Sequence, residues 1–365
     1  MYIKTLAARL PKSIWLLCAP IIFLLTWTAT AQSDDDISPL FAGDDLLNVK
    51  IIAPLASIMF ERDDVNDVPG TFQYLATDGR SVEFDIGLRL RGNFRRQRNV
   101  CEFAPLRINF KKSQVRETLF AHQDKLKLVT HCQDARAYQG NLLREYLAYR
   151  VFNNLTDASF RVRLLRITYV DTDSKVRETV KYGFLIEQKD RLAQRIHATP
   201  VELKRVFVPD LQPAYTNLTS LFHYFLGDTD FSQIAADPDD YCCHNHALFS
   251  SEDGSYFSIP YDFDMSGFVD AAYADPRKRF DLRNPKPRWY RGWCTNNGQI
   301  PASVIVFDEK REEIYALINN LELLSRYQRS SLTRFVDTYY ASVETTKKIE
   351  KNLVKDCKES DERRL

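Results

Sequence analysis

Apolar and polar residues alternate along much of the first half of the chain. A period of two is typical of β-strands with one buried face, and it predicts five strands here. The alternating segments are residues 82–90, 106–110, 126–128, 163–171 and 181–187. Between the third and fourth strands, apolar residues recur at helical spacing behind Asn141, which fits an N-cap. The expected order is therefore three strands, one helix and two strands.

The second half of the chain shows mainly helical patterns. We expect a helix around residues 218–226, followed by a polar loop at 227–232. The turn sequence at 252–255 lies between two short apolar segments and predicts a β-hairpin. Two further helices are expected beyond Pro301. Residues 32–45 are acidic and contain few apolar residues, which favours a flexible lead-in.

The first 31 residues have the three parts of a secretory signal peptide. Lys4, Arg9 and Lys12 precede an apolar run of about 14 residues, and the small-residue sequence Ala29-Thr30-Ala31 follows it. The alternative is a retained membrane anchor, but a span needs about 20 apolar residues and Pro20 interrupts this run. The sequence therefore predicts a secreted, periplasmic or cell-envelope protein without a stable membrane span.

Composition and charge exclude some classes of function. Loss of the three basic residues with the signal peptide changes the formal net charge from +1 to −2, which argues against a nucleic-acid binder. A hydrophobic content of 44% is that of a folded globular protein. The cysteines other than Cys18 are even in number, which in an exported chain favours disulfides whose pairing stays open. A zinc site at 242–246 is the alternative, although adjacent cysteines lack the usual ligand spacing.

A series of carboxylate and amide side chains occurs in an order that suits phosphoryl transfer. Asp230 comes first, Asn245 second, and the predicted hairpin leads to Asp262 and Asp264. Phosphoryl transfer needs a carboxylate to orient the acceptor, basic contacts to the phosphates and metal ions to neutralise them. Mg²⁺ prefers oxygen ligands such as these.

Several short motifs appear in a fixed order between residues 81 and 267. They are the segments 90–93, 105–110, 125–128, 145–150, 182–187, 227–230 and 260–264. In this series the chain resembles the spore-coat-H-like (CotH) family of atypical protein kinases. The resemblance implies an α+β, atypical protein-kinase-like two-lobe fold, with a β-rich small lobe containing one helix and a helical large lobe. It also implies ATP and Mg²⁺ as cofactors and a protein hydroxyl as the phosphate acceptor.

The resemblance also implies a division of the chain into segments. These are a signal peptide at 1–31, a lead-in with the first strands at 32–80, a kinase-like small lobe at 81–190, a kinase-like large lobe at 191–345 and a charged C-terminal tail at 346–365.

The resemblance assigns roles to individual residues. Asp230 would orient or deprotonate the acceptor hydroxyl, and Asn245 and Asp262 would bind Mg²⁺ with help from Asp264. Glu145 would position a phosphate-contacting base. Glu187 would lie near the adenine pocket.

Two of these assignments have rivals within the chain. Asp240 precedes Asn245 by the customary D-x-x-x-x-N spacing, so it competes with Asp230 as the catalytic aspartate. The position expected for a nucleotide-binding lysine is Arg107, and Lys127, Lys125 and Lys111 are the other candidates. Arginine and lysine are not interchangeable as phosphate contacts.

Other interpretations remain open at this point. Arg107 stands where a lysine is expected, and Asp230 and Asn245 are farther apart than in the usual catalytic loop. Both departures are compatible with an inactive pseudokinase that serves as an envelope or surface interaction module. Asp262 and Asp264 are also the kind of pair found in sugar-nucleotide transferases, although the nucleotide-binding α/β sheet of such enzymes is not evident. The arginine run 89–98 is either a solvated strand face or an electropositive lid over phosphates.

Overall fold

Seven strands close into a mixed β-barrel. They are β1 (Leu47–Ala53), β2 (Val68–Leu75), β3 (Ser81–Leu90), β4 (Leu106–Phe110), β5 (Lys125–Val129), β6 (Val162–Asp171) and β7 (Thr179–Ile186). The order around the barrel is β1-β2-β3-β4-β5-β7-β6. Neighbours pair antiparallel except β6 and β1, whose parallel pairing closes the barrel. This computed structural model describes residues 38–76, 78–274 and 288–360.

The alternation in the sequence separates the inside of the barrel from its outside. In β4, Leu106, Ile108 and Phe110 are buried in the barrel core, whereas Arg107 between them faces outward. β5 repeats the pattern, with Leu126 and Leu128 inside. Because successive side chains of a strand point to opposite faces, basic residues line the outer surface of these two strands.

A second, smaller sheet and a set of helices make up the rest of the described residues. The sheet has three antiparallel strands, β8 (Thr199–Pro200), β9 (His246–Ser250) and β10 (Tyr256–Pro260). Ten α-helices lie within the described ranges: α1 (Pro39–Ala42), α2 (Leu55–Glu61), α3 (Lys112–Val115), α4 (Arg136–Leu155), α5 (Lys189–Arg195), α6 (Pro213–Leu226), α7 (Ile300–Glu309), α8 (Arg311–Asn320), α9 (Arg326–Val343) and α10 (Thr346–Asn352).

Helix α4 connects the barrel to the helical part. It begins at Arg136, before the expected N-cap Asn141, and buries residues on most of its faces. Its apolar side chains share one hydrophobic core with residues of β6, β7, α6 and the C-terminal helices. The two halves of the chain therefore have a common core.

The predicted two-lobe kinase-like fold is wrong, although the chain is a mixture of helices and strands. The β-rich part is a closed seven-stranded mixed barrel, and the described residues belong to one compact unit. The physical reason is the parallel pairing of β1 with β6, in which Leu47 lies opposite Leu165. The alternation of apolar and polar residues within a strand does not show which distant strand it pairs with.

The predicted flexible lead-in is also wrong where the structure describes it. Residues 39–42 form α1, and the side chains of Leu40 and Phe41 are buried in the barrel core. Two apolar side chains in a short acidic segment were enough to anchor it. The predicted signal peptide, residues 1–31, lies outside the described residues.

Three disulfides confirm the prediction made from the cysteine count. They join Cys101 to Cys132, Cys242 to Cys243 and Cys294 to Cys357. The last of these ties the charged C-terminal segment to the helical part, where Leu353 is fully buried. Across the described residues, no helix combines the length and apolar character needed to cross a membrane.

Candidate functional site

A cavity of about 690 Å³ lies against the outer face of β4 and β5. We call it the charged cleft. It brings together Arg107 and Lys127 from the barrel, Asp230, Asp240 and Asn245 from the segment before β9, and Asp262 and Asp264 from the segment after β10. Most of the side chains that the sequence singled out thus line one cavity, although they come from distant parts of the chain.

Arg95 lies at the inner end of the charged cleft and contacts three carboxyl groups. Its guanidinium is 3.2 Å from Glu145 Oε2, 2.9 Å from Asp262 Oδ1 and 3.1 Å from Asp264 Oδ2. The side chains of Arg95 and Asp264 are each 8% exposed, and that of Glu145 is 2% exposed. The loop between β3 and β4 supplies Arg95, and α4 supplies Glu145.

One guanidinium shared among three carboxyls leaves an excess of negative charge, and protonation compensates for it. Burial raises the pKa of Asp264 to about 8. The neighbouring Asp262 and Glu145 also raise this pKa, and Arg95 lowers it by less than the other effects together raise it. Burial also raises the pKa of Glu145. For Asp262, burial is outweighed by Arg95, Arg91 and Lys127, so its pKa is lowered. At neutral pH Asp262, whose side chain is 29% exposed, is therefore ionised.

The backbone holds Asp262 in position. Asp262 has a φ of 63°, and its N–H donates to the Tyr149 hydroxyl at 2.8 Å. Tyr149 belongs to α4, so this hydrogen bond joins the end of the hairpin to the same helix that carries Glu145. A left-handed conformation is unfavourable for aspartate, and it persists here because the surroundings determine it.

The Asp230 segment is held by a dense set of hydrogen bonds. The Asp230 N–H donates to Asp228 Oδ1 at 2.8 Å, and His244 Nε2 lies 2.8 Å from Asp230 Oδ1. Asn245 Nδ2 donates to the Asp230 carbonyl oxygen at 2.6 Å. This hydrogen bond uses the amide nitrogen of Asn245 and not its amide oxygen. Arg291 donates to the carbonyls of this segment from the other side. Asp230 and Asn245 are thereby fixed relative to each other.

Two buried histidines support this segment from behind. His223 Nδ1 lies 2.8 Å from Asp228 Oδ2, and His223 Nε2 lies 2.8 Å from His246 Nε2. The ring of Phe231 stacks on His223 with 3.7 Å between the ring centroids. Burial lowers the pKa of both histidines, so they are neutral at pH 7. No local pattern indicated this pair, because its members are far apart along the chain.

The rival catalytic aspartates differ in their surroundings. Asp240 lines the charged cleft as Asp230 does, but it is exposed to solvent. The Asp230 side chain is 13% exposed. The structure therefore holds Asp230 in one orientation and leaves Asp240 at the rim.

Among the basic candidates, Lys127 and Arg107 line the charged cleft. The Lys127 ammonium is 4.4 Å from the centroid of the Tyr261 ring. Desolvation by the cleft walls, with Arg91 nearby, lowers the pKa of Lys127 to about 8, although the side chain stays open to the cleft. Nε of Arg107 has no hydrogen-bond partner.

The other two lysine candidates lie outside the charged cleft. Lys111 forms an exposed ion pair with Asp85 at 2.8 Å. Lys125 lines an adjoining cavity of about 470 Å³, which shares Lys127 and Tyr261 with the charged cleft.

Glu187 lines the adjoining cavity, but its carboxylate is not available to a ligand. Arg195 Nη2 donates to Glu187 Oε2 at 2.8 Å, and Arg195 Nε donates to Oε1 at 3.2 Å. Both side chains are 1% exposed. The Glu187 carboxylate is therefore occupied by Arg195, and the expectation that Glu187 lies near an adenine pocket stays a prediction. Sequence reasoning did not find this pair, because Arg195 gives no local signal.

The arginine run divides between the two interpretations that the sequence left open. Arg91 and Arg95 line the charged cleft, as an electropositive lid would require. Arg89 and Arg96 instead pair with Asp67 and Asp64, and Arg98 lies over the Phe60 ring. Arg95 is the main site residue that the assignments missed, and its place in a basic run before a strand was the only signal.

The alternative zinc site at 242–246 is excluded by the bonding of its cysteines. Cys242 and Cys243 form a disulfide, and Nε2 of His246 faces His223. Within residues 38–76, 78–274 and 288–360, no three His, Cys, Asp or Glu side chains form a group able to hold a metal ion.

The donors in the charged cleft nevertheless fit Mg²⁺. Asp262 is ionised, its side chain is 29% exposed, and Asn245 lines the same cavity. Mg²⁺ is typically held by one or two protein oxygen ligands together with waters and substrate phosphates. Asp262 and Asn245 have the types of side chain that such a site uses.

No protein-family model matches the chain, and no curated protein is significantly similar to it.

Proposed function

We propose that the chain binds a nucleoside triphosphate with Mg²⁺ in the charged cleft and transfers phosphate to a protein hydroxyl after export. This is the activity of the CotH-like kinases, whose motifs the sequence resembles. One observation supports the proposal most strongly: Asp230, Asn245 and Asp262 line a single cavity together with the basic Arg91 and Lys127.

The distribution of charge suits a polyphosphate. A phosphate chain carries several negative charges, and Arg91, Lys127 and Arg107 would contact its oxygens from the barrel side. Asp262 and the Asn245 amide oxygen would hold Mg²⁺ from the opposite side. When bound, Mg²⁺ would neutralise the charge that develops on the transferred phosphate.

Asp230 is the residue we assign to the acceptor hydroxyl. It lies in the same cavity as Asp262, and His244 and Asn245 hold its orientation. A carboxylate fixed in this way orients a hydroxyl and accepts its proton. Asp240 at the rim would then contact the acceptor protein and not the reacting oxygen.

Arg95 would be the phosphate-contacting base, the role first expected of Arg107. It pairs with Glu145, as the phosphate-contacting base was expected to do, and it reaches the wall of the cleft. Its planar guanidinium is suited to contacting carboxylate and phosphate oxygens together.

Nucleotide binding by the purified, disulfide-intact chain tests the proposal. Titration calorimetry with a non-hydrolysable ATP analogue should detect binding that requires Mg²⁺. Asp262→Asn should weaken it by about 10-fold or more, as expected for loss of a charge-assisted contact. Asp230→Asn should keep the binding but lower phosphate transfer from radiolabelled ATP by about 100-fold or more.

Two matched controls accompany these variants. Asp239→Asn removes an exposed carboxylate beside the cleft, and Arg96→Gln removes an arginine that pairs with Asp64 outside it. Both should bind the nucleotide as the unaltered protein does. The proposal is wrong if millimolar nucleotide with Mg²⁺ neither raises the melting temperature nor gives heat of binding.

A second candidate is a binding module without transfer activity, acting as an interaction protein at the cell envelope. The observation that favours it is Arg95, which already engages Glu145, Asp262 and Asp264. Nucleotide binding without phosphate transfer, unchanged by Asp230→Asn, would select this candidate over the first.

A further inference from the structure

A second cavity, of about 330 Å³, lies at one end of the barrel and away from the charged cleft. β1 and β6 end beside it, β7 begins there, and α2 forms one wall. Its apolar lining residues include Leu55, Met59, Phe103 and Tyr169. We call it the barrel-mouth pocket. The mouths of β-barrels are common places for small-molecule sites.

Two polar atoms in the wall of the barrel-mouth pocket have no hydrogen-bond partner. They are the Tyr169 hydroxyl and Nδ1 of His131. Tyr169 is 2% exposed and His131 is 6% exposed. Buried polar groups are nearly always hydrogen-bonded, and leaving one unpaired costs about 1–3 kcal/mol. Two such atoms in one cavity point to a partner that comes from outside the chain.

The two rings are held in position by packing. Phe103 lies 4.7 Å from both the His131 and the Tyr169 ring centroids. Tyr169 is a residue of β6 with neighbours in β1 and β7, so its backbone is fixed by the barrel. The polar atoms are therefore presented on a rigid frame, which is what selective binding of a small ligand requires.

Of the charged residues that line the pocket, Glu102 and Arg177 are exposed to solvent, and the others have partners within the protein. Lys181 is paired with Asp134. Asp171 accepts backbone hydrogen bonds from Ala56 at 3.0 Å and from Lys175 at 2.9 Å. Burial lowers the pKa of His131 to about 4 and raises that of Tyr169, so both are neutral at pH 7. A neutral ligand fits these surroundings better than an ion.

We propose that the barrel-mouth pocket binds a small neutral aromatic alcohol or phenol, whose hydroxyl pairs with Tyr169 and His131. Its ring would pack against Phe103, Leu55 and Met59. A cavity of about 150 Å³ accommodates benzene, so this larger pocket has room for one or two rings. The site is separate from the proposed function and does not depend on it.

Binding of two probes that differ in one hydroxyl tests the proposal. Fluorine NMR titration with 4-fluorophenol should show saturable binding to the full chain, and fluorobenzene should bind more weakly. Tyr169→Phe should lower the affinity for 4-fluorophenol by about 3- to 10-fold, the effect of one hydrogen bond, and leave that for fluorobenzene unchanged. Met59→Trp, which fills the pocket from α2, should abolish binding of both.

Control variants separate this site from the rest of the molecule. Tyr74→Phe removes a buried barrel hydroxyl that accepts a hydrogen bond from Leu119 and lies outside the pocket, so it should bind both probes normally. Asp262→Asn should also bind 4-fluorophenol normally, whatever happens to nucleotide binding. Three results would each overturn the proposal. They are no saturable binding, equal affinity for the two probes, and an affinity for 4-fluorophenol that neither Tyr169→Phe nor Met59→Trp lowers.

Discussion

Arg95 and Arg195 are both buried arginines beside buried carboxyl groups, but their surroundings differ. Arg195 faces one carboxylate, that of Glu187, and its remaining donors reach the carbonyls of Asp157 at 2.6 Å and Ser159 at 2.7 Å. Arg95 is shared among Glu145, Asp262 and Asp264. The first group is balanced in charge and in hydrogen bonds. The second has more carboxyls than one guanidinium can neutralise.

This difference indicates what each group does. A one-to-one pair with satisfied donors holds the structure together, and nothing is left over for a ligand. A shared arginine with a protonated aspartate can exchange a proton, or can release a carboxylate to an added cation. A buried ionic group whose charges do not balance is therefore a stronger functional candidate than a balanced pair.

The largest expected effect is on the balanced group. Arg195→Met leaves Glu187 buried without its charged partner, so the free energy of unfolding should fall by about 3–5 kcal/mol. Urea denaturation at pH 7 measures the loss. The double variant Arg195→Met with Glu187→Leu should recover most of it, because an apolar pair needs no charge compensation. A double variant as unstable as the single one would contradict this view of the pair.

The second expected effect is a pH dependence that arises from Asp264. The folded state keeps this proton up to about pH 8, whereas the unfolded chain releases it near pH 3.8. The folded state therefore binds more protons between these values, and its stability falls as the pH rises. Asp264→Asn should remove a slope of about 1 kcal/mol per pH unit between pH 5 and 7. Parallel urea-denaturation profiles for the two proteins would show that Asp264 is not protonated.

A smaller loss is expected at the shared arginine itself. Arg95→Met should lower the free energy of unfolding by about 1–3 kcal/mol at pH 7, less than Arg195→Met does. The three carboxyls can take up protons, and Asp262 is partly open to water. The loss should shrink on going from pH 7 to pH 5, since proton uptake becomes easier. A loss equal to that of Arg195→Met, and independent of pH, would remove the distinction between the two groups.

The smallest expected effect concerns a hydroxyl at the edge of the Arg95 group. Tyr273 donates to Asp264 Oδ2 at 2.9 Å, and this hydrogen bond favours the ionised carboxylate. Tyr273→Phe should cost about 0.5–1.5 kcal/mol and should raise the pKa of Asp264 further. The measurement is the midpoint of the pH-dependent stability change, which should move to higher pH. A shift to lower pH would be evidence against the hydrogen bond.

Local patterns predicted many of the elements well. β4 spans Leu106–Phe110, as the alternation indicated, and the hairpin of β9 and β10 lies where its turn sequence placed it. Helix α6 was found from its apolar spacing, and the even cysteine count anticipated the disulfides. These features depend on residues that are close in sequence, or on a simple count, so no tertiary information was needed.

The failures have a common cause. Closure of the barrel depends on β1 meeting β6, and the burial of Leu40 and Phe41 depends on the closed barrel that receives them. The pairing of the Glu187 carboxylate depends on Arg195. Each is an interaction between groups that no local pattern connects.

The sequence alone located five of the barrel strands, the hairpin and the main parts of α4 and α6. It also indicated that the cysteines are paired and that Asp230, Asn245 and Asp262 occur in an order suited to phosphate chemistry. Only the tertiary structure decided that these residues line one cavity, that Arg95 is shared by three carboxyls, and that the Tyr169 hydroxyl and Nδ1 of His131 are buried without hydrogen-bond partners. The reason is physical: alternation and helical spacing follow from the local backbone. Charge balance and unsatisfied hydrogen bonds depend on which distant groups share a low-dielectric space.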